Sequence, residues 1–202
     1  MLETIKTLDE SLFLFLNAQH NTFFDPLMWH FSDKLFWVPL YAWFLWLLYK
    51  RYPKHYWTVL VTIILMIVVS DQLCNFSKEN IMRLRPSQEP HLYLLVHILN
   101  NYRGGMYGFY SGHAANSFSV AFFIITMVAG KRKYIIPVAL TYAILVAYSR
   151  IYLGVHYPGD VLTGAIIGSL IGTGFASVHN KLRIRFIKPG EQEYQAHSTQ
   201  HN

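Results

Sequence analysis

The chain has 202 residues, of which 53% are hydrophobic, 16% aromatic and only 14% charged. Its apolar runs are too long for a soluble protein, so the composition indicates a single-domain integral membrane protein. The net charge of +6 argues against a nucleic-acid partner, because the cations cluster between the apolar runs rather than on one continuous patch. The single cysteine, Cys74, excludes an internal disulfide and a thiolate metal cage.

The first element in chain order is a short amphipathic stretch over Ile5–Leu16. Its apolar side carries Leu8, Leu12 and Phe15, and its other side carries mainly Lys6, Asp9 and Glu10. This pattern predicts an N-terminal interfacial helix that lies flat on the membrane. The alternative is the start of a longer, tilted first span. The polar break at Asn17–Asn21 favours the interfacial helix.

Five apolar runs follow, and each approaches the roughly 20 residues that a bilayer-spanning helix needs. They cover about residues 26–49, 56–76, 112–130, 134–152 and 160–179. Asp33 and Lys34 interrupt the first run, and we place them at the membrane interface. The predicted fold is an all-α membrane bundle of about five transmembrane spans. Residues 1–188 form its single domain, and 189–202 form a polar, disordered cytoplasmic tail.

The distribution of lysine and arginine predicts the orientation of these spans. Ten of the 17 cations lie after the first, third and fifth spans, at positions 50, 51, 54, 131, 132, 133, 181, 183, 185 and 188. These connections should face the cytoplasm. The long connection 77–111 and the one after the fourth span then face the periplasm or exterior, which predicts a protein of the cytoplasmic (inner) membrane. A connection as long as 77–111 usually has a function.

Three cations on that outer side have the chemistry of a phosphate site: Lys78, Arg85 and Arg150. Arginine presents a planar fork that matches phosphate oxygens, and lysine adds a compact charge. Together they could hold a phosphate dianion and stabilise charge on its equatorial oxygens. For each cation alone, contact with lipid headgroups is the alternative reading.

Ser111, Gly112 and His113 open the third span. Serine is a good N-cap, and glycine lets a phosphate approach the exposed N–H groups at a helix start. His113 can protonate a leaving alkoxide. The alternative is a histidine that only caps the helix or anchors it at the interface.

His156 and Asp160 are four residues apart, with Pro158 and Gly159 between them. A carboxylate near a helix start can bind one ring N–H of a histidine and leave the other nitrogen as a nucleophile. A plain helix cap with a nearby histidine is the alternative. Small residues at 164, 168 and 172 continue the face of Asp160, and this spacing predicts that the face packs closely inside the bundle.

Other polar and aromatic residues leave alternatives open. Asp71 either tunes Lys78 electrostatically or makes a structural hydrogen bond. Glu79 and Arg83, at i and i+4, predict a local ion pair. The aromatic residues of the long connection predict either a lipid entrance or an interfacial belt; they are Tyr102, Tyr107, Phe109 and Tyr110.

The three motifs occur in a definite order and spacing. Lys78 is followed by six residues and Arg85-Pro86; then comes Ser111-Gly112-His113; then Ser149-Arg150, five residues, His156, three residues and Asp160. This pattern resembles the type 2 phosphatidic acid phosphatase family, which also includes vanadium haloperoxidases. The resemblance covers residues 78–160. The middle motif departs from the family at Tyr110, where the family usually has proline.

The resemblance implies a role for each motif residue. His156 is expected to attack phosphorus and form a phosphohistidine, with Asp160 orienting it. His113 is expected to protonate the leaving oxygen and then to activate water. The phosphate oxygens are expected to be bound by Lys78, Arg85 and Arg150, with help from Ser111 and Gly112.

The sequence therefore predicts a membrane lipid phosphatase that acts without a metal or other cofactor. Its partners are the bilayer and a lipid phosphate or pyrophosphate, such as undecaprenyl pyrophosphate, phosphatidylglycerol phosphate, phosphatidate or a lipid A phosphate. One alternative is a phosphotransferase that moves the phosphate to another lipid or sugar. The other is a non-enzymatic anion- or lipid-binding protein, which would not need a histidine pair and an orienting acid. The oligomeric state stays open.

Overall fold

A computed structural model describes the backbone of residues 2–198 and the side chains of residues 3–130 and 132–183. The described part is helical and contains no strand longer than the isolated bridge between Leu84 and Tyr107. The predicted all-α class is therefore confirmed. In chain order the helices are α1 (Leu2–Asn17), α2 (Phe24–Ser32), α3 (Val38–Arg51), α4 (Tyr56–Ile81), α5 (Gly112–Val128), α6 (Ile135–Tyr152) and α7 (Pro158–Ser198).

Three helical segments are long and apolar enough to cross a membrane: Pro53–Ile81, Ile135–Tyr152 and Pro158–Arg183. Helix α5 is apolar but shorter. The predicted first span is not one helix, because the chain breaks between α2 and α3. There the Asp33 carboxylate accepts a hydrogen bond from the Leu35 amide at 3.0 Å, which stabilises a turn in place of the helical ladder. The prediction of five continuous spans is thus confirmed only in part.

Helices α2 and α3 together nevertheless follow the length of the bundle. At one end, the Tyr152 hydroxyl at the end of α6 donates to Asp25 of α2 at 2.7 Å. At the other end, the hydroxyl of Tyr52, just after α3, donates to the Met127 carbonyl near the end of α5 at 3.1 Å. The main apolar core lies between α3, α4, α5, α6 and α7.

The closest helix contact is between α5 and α7, and glycine makes it possible. A Cβ atom at Gly164, Gly168 or Gly172 would lie only 2.5, 2.1 and 2.2 Å from the carbonyl oxygens of Ser111, Ala115 and Ser119. No side chain fits at these distances. The predicted inward face of small residues is therefore confirmed, and it brings the first turn of α7 beside the first turn of α5.

Helix α1 includes the predicted amphipathic stretch and is separated from α2 by turns at residues 18–23. Its apolar side, with Leu8, Leu12 and Phe15, is exposed to the surroundings. Its polar side faces the protein. Asn17 at its end is buried and donates to the carbonyl oxygens of Ile151 and Tyr152 at 3.2 and 2.8 Å. Helix α1 therefore lies across the end of the bundle where α6 finishes.

Helix α7 is described as far as Ser198. The chain thus has helical backbone over 189–198, where the sequence predicted a disordered tail, and residues 199–202 lie outside the described part.

Candidate active site

The predicted site residues meet at one end of the bundle. Four helix ends converge there: the carboxyl ends of α4 and α6 and the amino ends of α5 and α7. The long connection between α4 and α5 covers them. Separate motifs thus become neighbours because antiparallel helices return to the same level.

His156 and Asp160 lie at the centre of this end. His156 is 1% exposed, and its Nδ1 lies 3.6 Å from Asp160 Oδ2, slightly beyond hydrogen-bonding distance. The same carboxylate oxygen accepts the Tyr157 amide at 3.0 Å. The other ring nitrogen, Nε2, lies 3.2 Å from Arg85 Nη1. One nitrogen of His156 therefore faces the acid, and the other faces the cations.

The surroundings of His156 favour its neutral form. Burial lowers the pKa of His156 well below its usual 6.5, and the positive charges of Arg85, Arg150 and Lys78 lower it further. A neutral imidazole keeps a free lone pair at neutral pH, which is the form that can attack an electrophile.

Arg85 and Arg150 enter the site from opposite sides. Arg85 is held by the carbonyl oxygens of Tyr107 and Val155, at 3.1 and 3.3 Å. Arg150 is 2% exposed; its two terminal nitrogens donate to Ser32 and, at 3.2 Å, to the Tyr102 hydroxyl. Its Nε is buried and has no hydrogen-bond partner among the described residues. Both guanidinium groups are thus rigidly held.

The Ser111-Gly112-His113 segment forms the start of α5, as predicted. Ser111 is the N-cap, and its hydroxyl accepts the Ala114 amide. The Ser111 amide donates to the Asp160 carbonyl at 3.0 Å, which joins α5 to α7. At Gly112 a Cβ atom would lie 3.8 Å from Lys78 Nζ, so Lys78 reaches this helix start. His113 lies within electrostatic range of Arg150, His156 and Arg85.

All eight predicted site residues are therefore gathered at one place. A compact group of three cations, two histidines and one carboxylate can bind a phosphate, attack it and protonate the group that leaves.

A cavity of about 470 Å³ extends from this group into the bundle. Lys78, Gly112 and His113 line its mouth. Its deeper part is mainly apolar and includes Ile67, Val120 and Phe123. The cavity therefore joins a cationic site to a space suited to hydrocarbon.

The structure assigns Arg83 partners that the sequence did not indicate. Arg83 Nη1 lies 2.9 Å from Asp160, and Nη2 lies 2.7 Å from Asp9 of α1. The predicted Glu79–Arg83 pair is therefore wrong. Helix α4 ends at Ile81 and Met82 has φ +49°, so Arg83 leaves the helical face that Glu79 occupies. No local signal in the sequence points to a partner 74 residues away.

The other open alternatives are also decided by contacts. The Asp71 carboxylate accepts a hydrogen bond from Asn116 at 2.8 Å, which supports the structural alternative. Tyr102 binds Arg150 through its hydroxyl, and Tyr110 is buried. These two aromatic residues therefore belong to the site itself rather than to a lipid entrance or an interfacial belt.

A second polar cluster lies on the same end of the bundle. His20, Asp25 and His97 place metal-ligand atoms within 4.8 Å of one another. However, the two imidazole rings stack face to face, with centroids 3.8 Å apart and planes 4° apart. Lone pairs in two parallel planes cannot converge on one ion, so this arrangement does not fit a metal.

Comparison with known proteins agrees with this geometry. Lipid A 4'-phosphatase of Bacteroides thetaiotaomicron is 41% identical over 92% of this chain and 83% of its own length. Lipid A 4'-phosphatase of Porphyromonas gingivalis is 34% identical, over 92% and 79%. The crystal structure of a transmembrane PAP2 type phosphatidylglycerolphosphate phosphatase from Bacillus subtilis superposes with a TM-score of 0.67 at 25% identity, covering 88% of this chain and 87% of that one.

The family model described as the PAP2 superfamily matches residues 56–184, a segment that contains all three motifs. The resemblance predicted from these motifs is confirmed, and the chain belongs to the PAP2 superfamily.

Proposed function

We propose that this membrane protein is a lipid phosphatase whose substrate is a phosphorylated glycolipid of the lipid A class. The observation that carries the substrate assignment is the 41% identity with a lipid A 4'-phosphatase over 92% of the chain. The apolar cavity that opens at His113 supports a lipid substrate, because an acyl chain can occupy it while the phosphate lies among the cations.

In the first chemical step, His156 Nε2 attacks phosphorus. The bond between phosphorus and the lipid oxygen breaks, and His113 gives its proton to that oxygen. Asp160 on the Nδ1 side orients His156 and stabilises the positive charge that the ring acquires. The products of this step are the dephosphorylated lipid and a phosphohistidine.

In the second step, water attacks the phosphohistidine. His113, now neutral, takes a proton from the water, and the bond between phosphorus and Nε2 breaks to release phosphate. Lys78, Arg85 and Arg150 hold the phosphate oxygens in both steps. Ser111 and Gly112 contribute the start of α5, whose N–H groups favour an anion.

Residues 1–188 act in this proposal as one unit with five crossings, in which α2 and α3 together make the first. The site end of the bundle then faces the periplasm or exterior of the cytoplasmic (inner) membrane. The support is the excess of lysine and arginine in the connections at the opposite end.

The substrate is tested with purified protein in detergent and a metal chelator. Lipid A, phosphatidylglycerol phosphate, phosphatidate and undecaprenyl pyrophosphate are supplied separately, and mass spectrometry locates the phosphate that is lost. We expect loss of the 4'-phosphate of lipid A and inhibition by vanadate, which mimics five-coordinate phosphorus. Preference for another lipid would overturn the substrate assignment, and transfer to an added lipid or sugar would show a phosphotransferase.

The nucleophile is tested with His156→Ala. Losing a covalent nucleophile costs several orders of magnitude in rate, on the order of 10⁴-fold or more. His20→Ala, which alters an exposed histidine outside the site, is the matched control and should retain activity. Near-normal turnover by His156→Ala would exclude the covalent mechanism.

The orientation is tested with single cysteines in a Cys74→Ser background, labelled in intact cells with an impermeant thiol reagent. Leu94 in the long connection is 91% exposed, and Gly130 near the opposite end is also exposed. We expect Leu94→Cys to react and Gly130→Cys to stay unlabelled until the membrane is permeabilised. The reverse pattern would place the site in the cytoplasm.

A further inference from the structure

Asp160 has a second partner besides His156. Its Oδ1 accepts a hydrogen bond from Arg83 Nη1 at 2.9 Å, while its Oδ2 accepts the Tyr157 amide and faces His156. The Asp160 side chain is 0% exposed, so its charge depends on protein groups rather than water. With both oxygens engaged, the carboxylate cannot rotate away from His156 without breaking one of these contacts.

Arg83 is itself held by helix α1. Its Nη2 donates to Asp9 Oδ2 at 2.7 Å, and the guanidinium lies over the Tyr157 ring, 4.0 Å from the ring centroid. Burial opposes the charge of Arg83, but Asp160 and Asp9 outweigh it and raise the pKa of Arg83. Both terminal nitrogens are thus turned toward carboxylates, so Arg83 differs from Arg85 and Arg150, which face His156 or the cavity.

Asp9 completes a closed ring of contacts. Its Oδ1 accepts the Gly159 amide at 2.7 Å, immediately before Asp160. A Cβ atom on Gly159 would lie 2.8 Å from Asp9 Oδ2, so the absence of a side chain there lets α1 approach. The ring runs from Asp160 to Arg83, to Asp9, to the backbone of Gly159 and back to Asp160.

Helix α1 has the two faces that such a connection needs. Ile5, Leu8, Leu12 and Phe15 are exposed on its outer side, where they suit the membrane interface. Asp9 faces inward, with 13% of its side chain exposed. The family match begins only at residue 56, so α1 lies outside the segment that identifies the family.

We infer that Arg83 and Asp9 are positioning residues that hold Asp160 toward His156, and that α1 is thereby part of the active site. The inference rests on the role of Asp160 in the proposed function. Arg83 keeps Asp160 charged and fixed in orientation, and Asp9 keeps Arg83 from turning toward the substrate phosphate. Binding of the phosphate itself does not involve either residue.

The experiment measures kcat and KM for phosphate release by wild type, Arg83→Ala, Arg83→Lys and Asp9→Asn. A misplaced catalytic group can cost about 10²-fold in rate, and we expect a fall of this size in kcat for Arg83→Ala, with KM changed by less than about twofold. Asp9→Asn should lower kcat less, because Arg83 keeps its contact with Asp160. Arg83→Lys should recover part of the loss, since it restores a charge but not the fork.

A double variant, Arg83→Ala with Asp9→Asn, should be no slower than Arg83→Ala alone, because both changes break the same ring. Lys6→Ala is the matched control on α1: Lys6 pairs with Glu10 at 3.9 Å on the exposed part of the helix, and kcat should not change.

An unchanged kcat in Arg83→Ala, with or without a lower thermal midpoint, would overturn the inference, as would a raised KM at constant kcat. If Arg83→Ala does not fold, Asp9→Asn decides by the same split between kcat and KM. Wild type and His156→Ala are assayed in parallel on every lipid phosphate of the panel. Activity that His156→Ala lacks establishes the site, and the effect of Arg83 is then read on whichever lipid is hydrolysed.

Discussion

The two sides of α5 are packed in opposite ways. Toward α7, glycine residues bring backbone against backbone, and Ser119 Oγ donates directly to the Gly168 carbonyl at 3.0 Å. Toward α3 and α4, the same helix lines a cavity of about 470 Å³. One side leaves no room for a methyl group, whereas the other leaves room for part of a lipid.

This difference separates two tasks. The catalytic groups must keep their relative positions within a fraction of an ångström, and His113 and Asp160 sit on the two helices that are in closest contact. The lipid must enter and leave, and the loosely packed side provides the space. A rigid half therefore carries the chemistry, and an open half receives the substrate.

The largest effect should come from breaking the rigid half. In Gly168→Ala the new methyl group would lie 2.1 Å from the Ala115 carbonyl oxygen, two residues from His113. The helices must separate, so we expect kcat to fall about 10²-fold and stability to fall by about 1–3 kcal/mol. Gly174→Ala is the matched control in the same helix, because nothing lies within 4 Å of its Cβ position. Equal activity and thermal midpoints for the two variants would contradict the close packing.

A smaller and more selective effect is expected from filling the open half. Ile67 of α4 lines the cavity, whereas its neighbour Val68 points outward and is half exposed. Ile67→Trp should raise KM for a long-chain lipid phosphate and leave a short-chain soluble phosphate ester almost unaffected. Val68→Trp should change neither. If Ile67→Trp slows both substrates equally, the cavity does not hold the lipid chain.

The smallest effect concerns the pH profile. His156 must be neutral to attack, and burial followed by the charges of Arg85, Arg150 and Lys78 keeps its pKa well below 6.5. Removing one positive charge makes protonation easier, so the acid limb of kcat/KM should move to higher pH in Arg85→Ala. Arg85→Lys retains the charge and should keep the limb near its original position. Using one substrate throughout cancels the ionisation of the phosphate itself. A shift to lower pH in Arg85→Ala would contradict this account.

The sequence predicted the parts of the site that depend on short-range spacing. His156 and Asp160 are one helical turn apart, and the glycine series follows one face of α7, so their relations hold once the helix forms. The convergence of the three motifs followed from counting spans and cations. These inferences rely on periodicity and charge, which are local properties of a chain.

The sequence could not predict contacts that depend on where a helix ends. Extending α4 by two residues would have placed Arg83 beside Glu79, but the chain turns at Met82 and directs Arg83 to Asp9 and Asp160. The break at Asp33 likewise depends on one side-chain hydrogen bond within an apolar run. Both cases are competitions between a helical ladder and a local alternative, and residue spacing alone does not decide them.

The long connection between α4 and α5 is fastened along much of its length. The amides of Ser87 and Gly108 donate to the carbonyl oxygens of Gly154 and Arg83 at 3.0 and 2.8 Å, and the His97 amide donates to Asn17 at 2.7 Å. Such amides should exchange their hydrogens slowly even though they lie in a loop. The connection is therefore a fixed roof rather than a lid. Turnover at this site does not wait for a loop to open, and the lipid headgroup is selected by whether it fits beneath that roof.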